Sequence, residues 1–246
     1  MQAFHATILH YLSHMHDYRG QAKVLGEHRE HGKMMVILDK TIFYPQGGGQ
    51  PFDTGTISGE GVEFQVNEVR HVDGEVVSHI GTFTKGEKFT PGEIVQLEVD
   101  QERRQLHSRI HSAGHVIDSA VTELNLGWKP GKAYHFPEGP YVQYQGELVH
   151  DQIESVRKKI EARSQEMIST GCETLIMNVR PDEVQRHCLF AGVTFPDVPL
   201  VRIVAVWGEK GCPCGGTHVK NINEIGKITI PKIKITKDEI RVSYRV

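Results

Sequence analysis

Between Tyr18 and Val99 the chain carries short apolar runs, among them Lys33–Leu38, Val62–Val69 and Ile94–Val99, punctuated by Gly, Asp and Pro. Runs of this length between turn-forming residues predict strands. Asp73-Gly74, lying between Val69–Val72 and Val76–Val77, predicts a hairpin turn. Residues 1–99 therefore read as a β-barrel-like domain. At Asp100 the period changes. Leu106, Ile110, Ala113, Ile117, Val121 and Leu124 recur at intervals of three and four, which predicts one buried helix face. Asp100 is placed to cap this helix, and Asn125 and Gly127 to end it. A second helix is predicted from about Asp151 to Thr170, with Ile153, Val156, Ile160 and Met167 inward, and a short third from Asp182 to Phe190. Strands return at Leu200–Val206, Ile225–Pro231 and Ile240–Val246. The expected fold class is α+β, with a barrel-like N-terminal domain and an α+β domain over residues 100–246.

Composition narrows the class. Of 246 residues, 38% are apolar and 24% charged, the balance of a soluble globular chain. No apolar run approaches the ~20 residues of a membrane span, and Met1 to His16 is too rich in His for a secretory signal. A cytoplasmic protein is expected. Cys172, Cys188, Cys212 and Cys214 are too few and too uneven for a disulfide framework, leaving metal binding or burial as their roles. The net charge of −3 counts against a broad RNA-binding surface, although Arg103, Arg104 and Arg109 could form a local basic face. Fifteen histidines direct the search toward metal ligands.

Two short motifs carry candidate chemistry. His111-Ser112-Ala113-Gly114-His115 lies in the first helix, where residues four apart share a face and two imidazoles can meet one ion. The spacing is that of a metalloprotease pair, but Ser112 stands where the general-base glutamate would be. Cys214-Gly215-Gly216-Thr217-His218 places a thiolate and an imidazole four apart in what must be a turn, because Gly-Gly disfavours helix. Each pair alone is weak. Together, three imidazoles and one thiolate match the donor set of Zn²⁺. His111, His115, Cys214 and His218 are thus the candidate metal ligands and catalytic residues. Gly215 and Gly216 could offer backbone N–H groups to a substrate and Thr217 a hydroxyl, or the glycines could simply turn the chain.

At these residues the chain resembles the editing domains of alanyl- and threonyl-tRNA synthetases and their free-standing AlaX relatives. The family's HxxxH pair matches His111 and His115, and its CxxxH pair, within CGGTHV, matches Cys214 to Val219. Thr41 to Pro51, reading TIFYPQGGGQP, resembles the glycine-rich motif of the alanyl branch, and Asn223 to Ile230 resembles the end of the domain. With no aminoacylation core in the sequence, the resemblance is to the medium-length AlaX form. It implies hydrolysis of the ester of mischarged alanine tRNA, foremost seryl-tRNA(Ala) and also glycyl-tRNA(Ala), with the tRNA acceptor end as partner. It also implies that Gly47, Gly48 and Gly49 shape or support the substrate pocket; the alternative is a tight strand corner. These glycines lack the spacing of a phosphate-binding loop, so no nucleotide cofactor is expected. Rival readings are a threonyl-type editor of seryl-tRNA(Thr), a tRNA-binding module without catalysis, and a zinc hydrolase unrelated to RNA. Whether the ion is catalytic, substrate-positioning or structural stays open.

Other candidates read as background. Cys212 is a neighbour of the ligand pair. His107 is a polar neighbour or an RNA contact. His10 and His14 are solvated or edge-strand residues. Cys172 and Cys188 are expected to be buried, Trp128 to sit in the core, and Tyr134 to line the pocket or stack on the terminal adenine.

Overall fold

The computed structural model describes residues 4–30, 32–72, 74–237 and 239–246. The chain forms two compact units, Met1–Gly47 with Pro51–Gln105, and Gly48–Gln50 with Leu106–Val246.

The first unit holds β1 (Ile8–Leu9), β2 (Arg19–Glu30), β3 (Lys33–Leu38), β4 (Lys40–Thr41), β5 (Gly55–Gly59), β6 (Val62–Val72), β7 (Val76–Lys85) and β8 (Ile94–Val99). Six of these close a barrel in the order β2-β3-β7-β6-β5-β8, every neighbour antiparallel. The strand period of two explains its core: along β8, Val95, Leu97 and Val99 are buried while Ile94, Gln96 and Glu98 face solvent. Val36, Leu38, Ile57, Phe64, Val66 and Val77 complete the interior. The expected turn joins β6 to β7, where Val72 pairs with Val76 and Gly74 is left-handed at φ 80°; Asp73 lies outside the described residues.

Arg104 is not part of a basic surface. It is fully buried and ion-paired with Asp53, and donates to Met15 O at 2.8 Å and Ile42 O at 2.6 Å. Its neighbour Arg103 donates to Phe52 O. Arginine at these positions serves packing because a guanidinium can satisfy several backbone carbonyls at once.

The boundary between the units falls within α1 (Gln101–Glu123). Asp100 Oδ1 accepts Arg103 N–H at 3.1 Å, the expected cap, and Asn125 and Gly127 turn left-handed beyond the helix. The second unit continues with β9 (Lys129–Tyr134), β10 (Tyr141–Gln145), α2 (Ile153–Thr170), β11 (Leu175–Val179), α3 (Val184–His187), β12 (Val201–Ala205), β13 (Cys212–Pro213), β14 (Thr229–Thr236) and β15 (Glu239–Arg245). Two sheets result, β14-β15-β10-β9 and β11-β12-β13. Ile110, Ala113, Ile117 and Val121 of α1 pack with Val156, Ile160 and Met167 of α2 and with Ile233, Ile240 and Val242 of the larger sheet in one core. Trp128 is buried there, its Nε1 donating to Glu147 O.

Several expectations are corrected. Leu106 is exposed. The third helix stops at His187, because Cys188 is extended and bridges Gly211. The strand expected from Ile225 begins at Thr229; Ile222–Ile225 is a 3₁₀ turn held by a capping box of Asn221 and Glu224. Cys172 is only half-buried, whereas Cys188 is buried as expected. Arg109 donates to Ile225 O instead of facing solvent.

Candidate metal centre

Both motifs lie in the second unit and converge. One ligand atom from each of His111, His115, Cys214 and His218 can be chosen so that all lie within 4.8 Å of one another. Helix geometry supplies two of them: His111 and His115 are one turn apart on α1, with ring centroids 5.1 Å apart. The other two come from the loop after β13, where Cys214 Sγ lies 3.5 Å from His111 Nε2 and 3.3 Å from His218 Nε2.

The far side of each ring is fixed. His111 Nδ1 lies 2.7 Å from Gln50 Oε1, which can only accept, so the proton sits on Nδ1 and Nε2 keeps its lone pair. Gln50 Oε1 also accepts Thr217 N–H at 3.0 Å, and its amide donates to Thr217 Oγ1 at 2.9 Å. His218 Nδ1 lies 3.1 Å from Ser112 Oγ, which also accepts Val219 N–H. This is how ligand rings are oriented from behind. Ser112, in the place of a protease glutamate, therefore supports the opposite candidate donor, His218.

The loop is held from β12. Arg202 donates to Cys214 O at 2.6 Å and to Gly216 O at 3.2 Å. Gly216 N–H points to Cys214 Sγ at 3.3 Å. A Cβ on Gly216 would overlap the His111 ring, so this glycine is dictated by close approach. Gly215 has open space around it. Thr217 is fully buried, its hydroxyl also meeting Ser108 Oγ at 2.8 Å.

Burial sets the protonation states. His111 is held well below the usual imidazole range by burial, reinforced by His135, His218 and His115. Burial brings His115 down to about 4. The rings are neutral near pH 7, the form that binds a cation. Burial pushes the Cys214 thiol up.

Three of the four candidate donors, His111, His115 and Cys214, line a cavity of about 530 Å³ together with Gly48, Asp118, His135 and Gly215. Cys212 lines it too, outside the four-donor group, with its thiol pushed far up by burial. Of the glycine-rich run, Gly48 faces this cavity, and Gly49 O accepts His135 N–H at 2.8 Å. Gly49 has φ +80°, and a Cβ there would fall 2.5 Å from Ala133 O. Gly47 belongs to the first unit, its carbonyl accepting from Tyr44 OH. Tyr134 lies off the cavity, stacked on Phe136.

Sequence reasoning does not single out four participants. Gln50 sits at the end of the glycine-rich segment, which is the signal that could have found it. Asp118 is one turn beyond His115 on α1, so helical spacing could have found it too. Burial raises its carboxyl to about 7, against a Tyr144 hydrogen bond of 2.6 Å that lowers it. Arg202 and His135 carry no local signal. His135 stacks on His111 at 4.3 Å, and its Nδ1 lies 2.6 Å from Tyr244 OH. That hydroxyl gives its own proton to Ile110 O at 3.0 Å, so it receives one from His135 Nδ1. His135 is thus neutral with a free acceptor at Nε2, burial depressing it to about 3.

A family described as threonyl and alanyl tRNA synthetase second additional domain matches residues 201–241, and one described as tRNA synthetases class II (A) matches residues 7–103. The chain is 31% identical to the alanyl-tRNA editing protein AlaX-L of Pyrococcus horikoshii over 91% of its own length. The similarity is thus to the alanyl-tRNA editing family. It is also 32% identical to the alanine–tRNA ligase of Korarchaeum cryptofilum over 89% of its length, and 31% identical to that of Methanococcus maripaludis over 97%. It spans 54% of AlaX-L and 24% and 26% of the two ligases.

Proposed function

We propose that this chain hydrolyses the ester joining a wrong amino acid to alanine tRNA, with seryl-tRNA(Ala) as its main substrate and glycyl-tRNA(Ala) as a second. The observation that carries this reading is the convergence of one ligand atom each from His111, His115, Cys214 and His218, three of which line one cavity, with the His111 and His218 rings held from behind. Three imidazoles and a sulfur suit Zn²⁺, with the fixed His111 tautomer leaving Nε2 as a donor. Bound there, zinc would supply Lewis acidity toward the ester carbonyl or its attacking water.

The remaining roles belong to the protein. Arg202 fixes the loop that carries Cys214 and His218, and Gln50 fixes His111 and Thr217 together. Gly48 and Gly215 line the cavity without side chains, which leaves room for the terminal ribose. Asp118 titrates near 7, so it can give or take a proton at working pH. His135 lines the cavity as a neutral ring with one acceptor nitrogen. A serine hydroxyl can donate to it, and the alanine side chain cannot. Hydrogen bonding discriminates where apolar contact fails, because an apolar pocket cannot reject a smaller side chain. With Cys214 raised by burial, a free thiolate nucleophile is disfavoured, and the grouping of its sulfur with three imidazoles is what favours the ligand role. Such a reaction belongs in the cytoplasm with the charged tRNA pool; among the described residues no helix is long and apolar enough to cross a membrane.

The test is direct. Purified protein is incubated with alanine tRNA charged with serine, glycine or alanine, and with threonine tRNA charged with serine. Serine should leave alanine tRNA far faster than alanine does. Equal rates would end the editing reading, and a preference for threonine tRNA would move it to the threonyl branch.

A further inference from the structure

The second unit carries a cationic cleft separate from the donor cavity. Residues paired across antiparallel strands lie on one face, and Lys234 pairs with Arg241 while Lys232 pairs with Ser243. The alternate residues Ile233, Ile240 and Val242 are buried, so the cationic side chains stand on the opposite, solvent face. Lys232, Lys234, Arg241 and Arg245 line a cleft of about 520 Å³ together with Tyr141 and Tyr244; among the described residues Glu138 supplies the only acidic side chain in its lining. None of the four cations is in an ion pair among the described residues. In a chain of net charge −3, this is a local concentration of uncompensated positive charge.

Aromatic rings adjoin it. Arg241 Cζ lies 4.1 Å from the Tyr141 ring centre. Tyr141 stacks with Tyr134 at 5.6 Å and 19°, and Tyr134 with Phe136 at 4.4 Å and 9°. Cations that follow a phosphate backbone, beside parallel rings that accept a base, are the elements of single-stranded RNA binding. The cleft also adjoins the donor cavity. Tyr244 lines the cleft, His135 lines the cavity, and the two are joined by the 2.6 Å hydrogen bond.

We propose that this cleft binds the phosphate backbone of the single-stranded 3′ end of tRNA, with an unstacked base extending the Tyr141–Tyr134–Phe136 row of rings at its Phe136 end, so that the terminal ester reaches the donor cavity. The proposal rests on the editing reading above for the identity of the RNA.

The test measures affinity of the full chain for uncharged alanine tRNA across a range of salt concentrations. It compares wild type, the double variant Lys234→Gln, Arg241→Gln, and a control, Lys158→Gln, Lys159→Gln, on the exposed side of α2. The cleft variant should bind about tenfold more weakly or worse at physiological salt, and its slope of log affinity on log salt should fall by roughly 0.7–0.9 for each phosphate it no longer neutralises. The control should match wild type. Metal content and hydrolysis of seryl-adenosine, which lacks the RNA strand, should be unchanged in all three. Unchanged tRNA affinity and slope in the cleft variant would overturn the proposal, as would an equal drop in the control. Weakened binding to anionic lipid vesicles with tRNA binding retained would also overturn it. Failure of the editing reading looks different: no form hydrolyses any ester, while RNA binding still depends on Lys234 and Arg241.

Discussion

His79 shows how one buried side chain sets a stability profile. It sits in the barrel interior with Nε2 2.7 Å from Thr41 Oγ1 and Nδ1 3.1 Å from Val36 O, and burial holds its pKa at about 4. The unfolded chain takes up this proton below about pH 6.5, whereas the folded chain resists it until about pH 4. Stability is therefore lost as pH falls through that window, by about 3 kcal/mol from this group alone. Denaturant titrations at pH 7 and pH 4.5 should show a smaller acid loss for His79→Gln than for wild type; equal losses would remove His79 as the cause. His111, His115 and His218 are legible from sequence as candidate ligands because their spacing singles them out. His135 is not, since its role depends on Tyr244, 109 positions away. Arg104 reads as surface charge for a related reason: sequence shows a cation, and only the fold shows Asp53 opposite it.

At the scale of elements, α1 is readable in extent and cap but not in exposure. The apolar period predicts one buried stripe. In the structure His107, Ser108, His111, Ser112 and His115 are buried as well, so the polar side is as enclosed as the apolar one. A helix buried on both sides needs a small residue at closest approach, and that residue is Gly114. A Cβ there would fall 2.5 Å from His135 Cε1 and 3.2 Å from Tyr244 OH. Alanine gains about 1 kcal/mol in helix propensity, but overpacking costs about 1–3 kcal/mol. His135 is pinned by both its stack and its hydrogen bond, so the cost should win. Gly114→Ala should lower the urea midpoint and slow serine release; a raised midpoint would show that the ring yields. Strand β9, reading KPGKAY, cannot be found by pattern, because it has no apolar alternation and, among the described residues, pairs only with β10.

For the molecule as a whole, the donor set joins parts of the chain far apart in sequence: His111 and Cys214 are 103 positions apart. An ion bound only by the folded chain stabilises it by mass action, about 2.7 kcal/mol at a hundredfold excess over its dissociation constant. A chelator should lower the melting temperature of wild type and leave His111→Ala, His115→Ala unchanged. Equal responses would remove these residues as ligands. Fold class is legible at this scale because strand-like and helix-like periods change at one place, near Asp100. The barrel-like character of the first unit is legible too, from its short punctuated strands, but the strand order that closes it is not, since pairing of β2 with β8 leaves no trace in local pattern. That pairing has a consequence for synthesis on the ribosome. The barrel cannot shut until Val99 has emerged, so β2 and β5 wait with unpaired backbone while the residues between are made. A nascent chain halted before Ile94 exposes two sticky strand edges, and chaperone demand should peak there and end abruptly once β8 is in place.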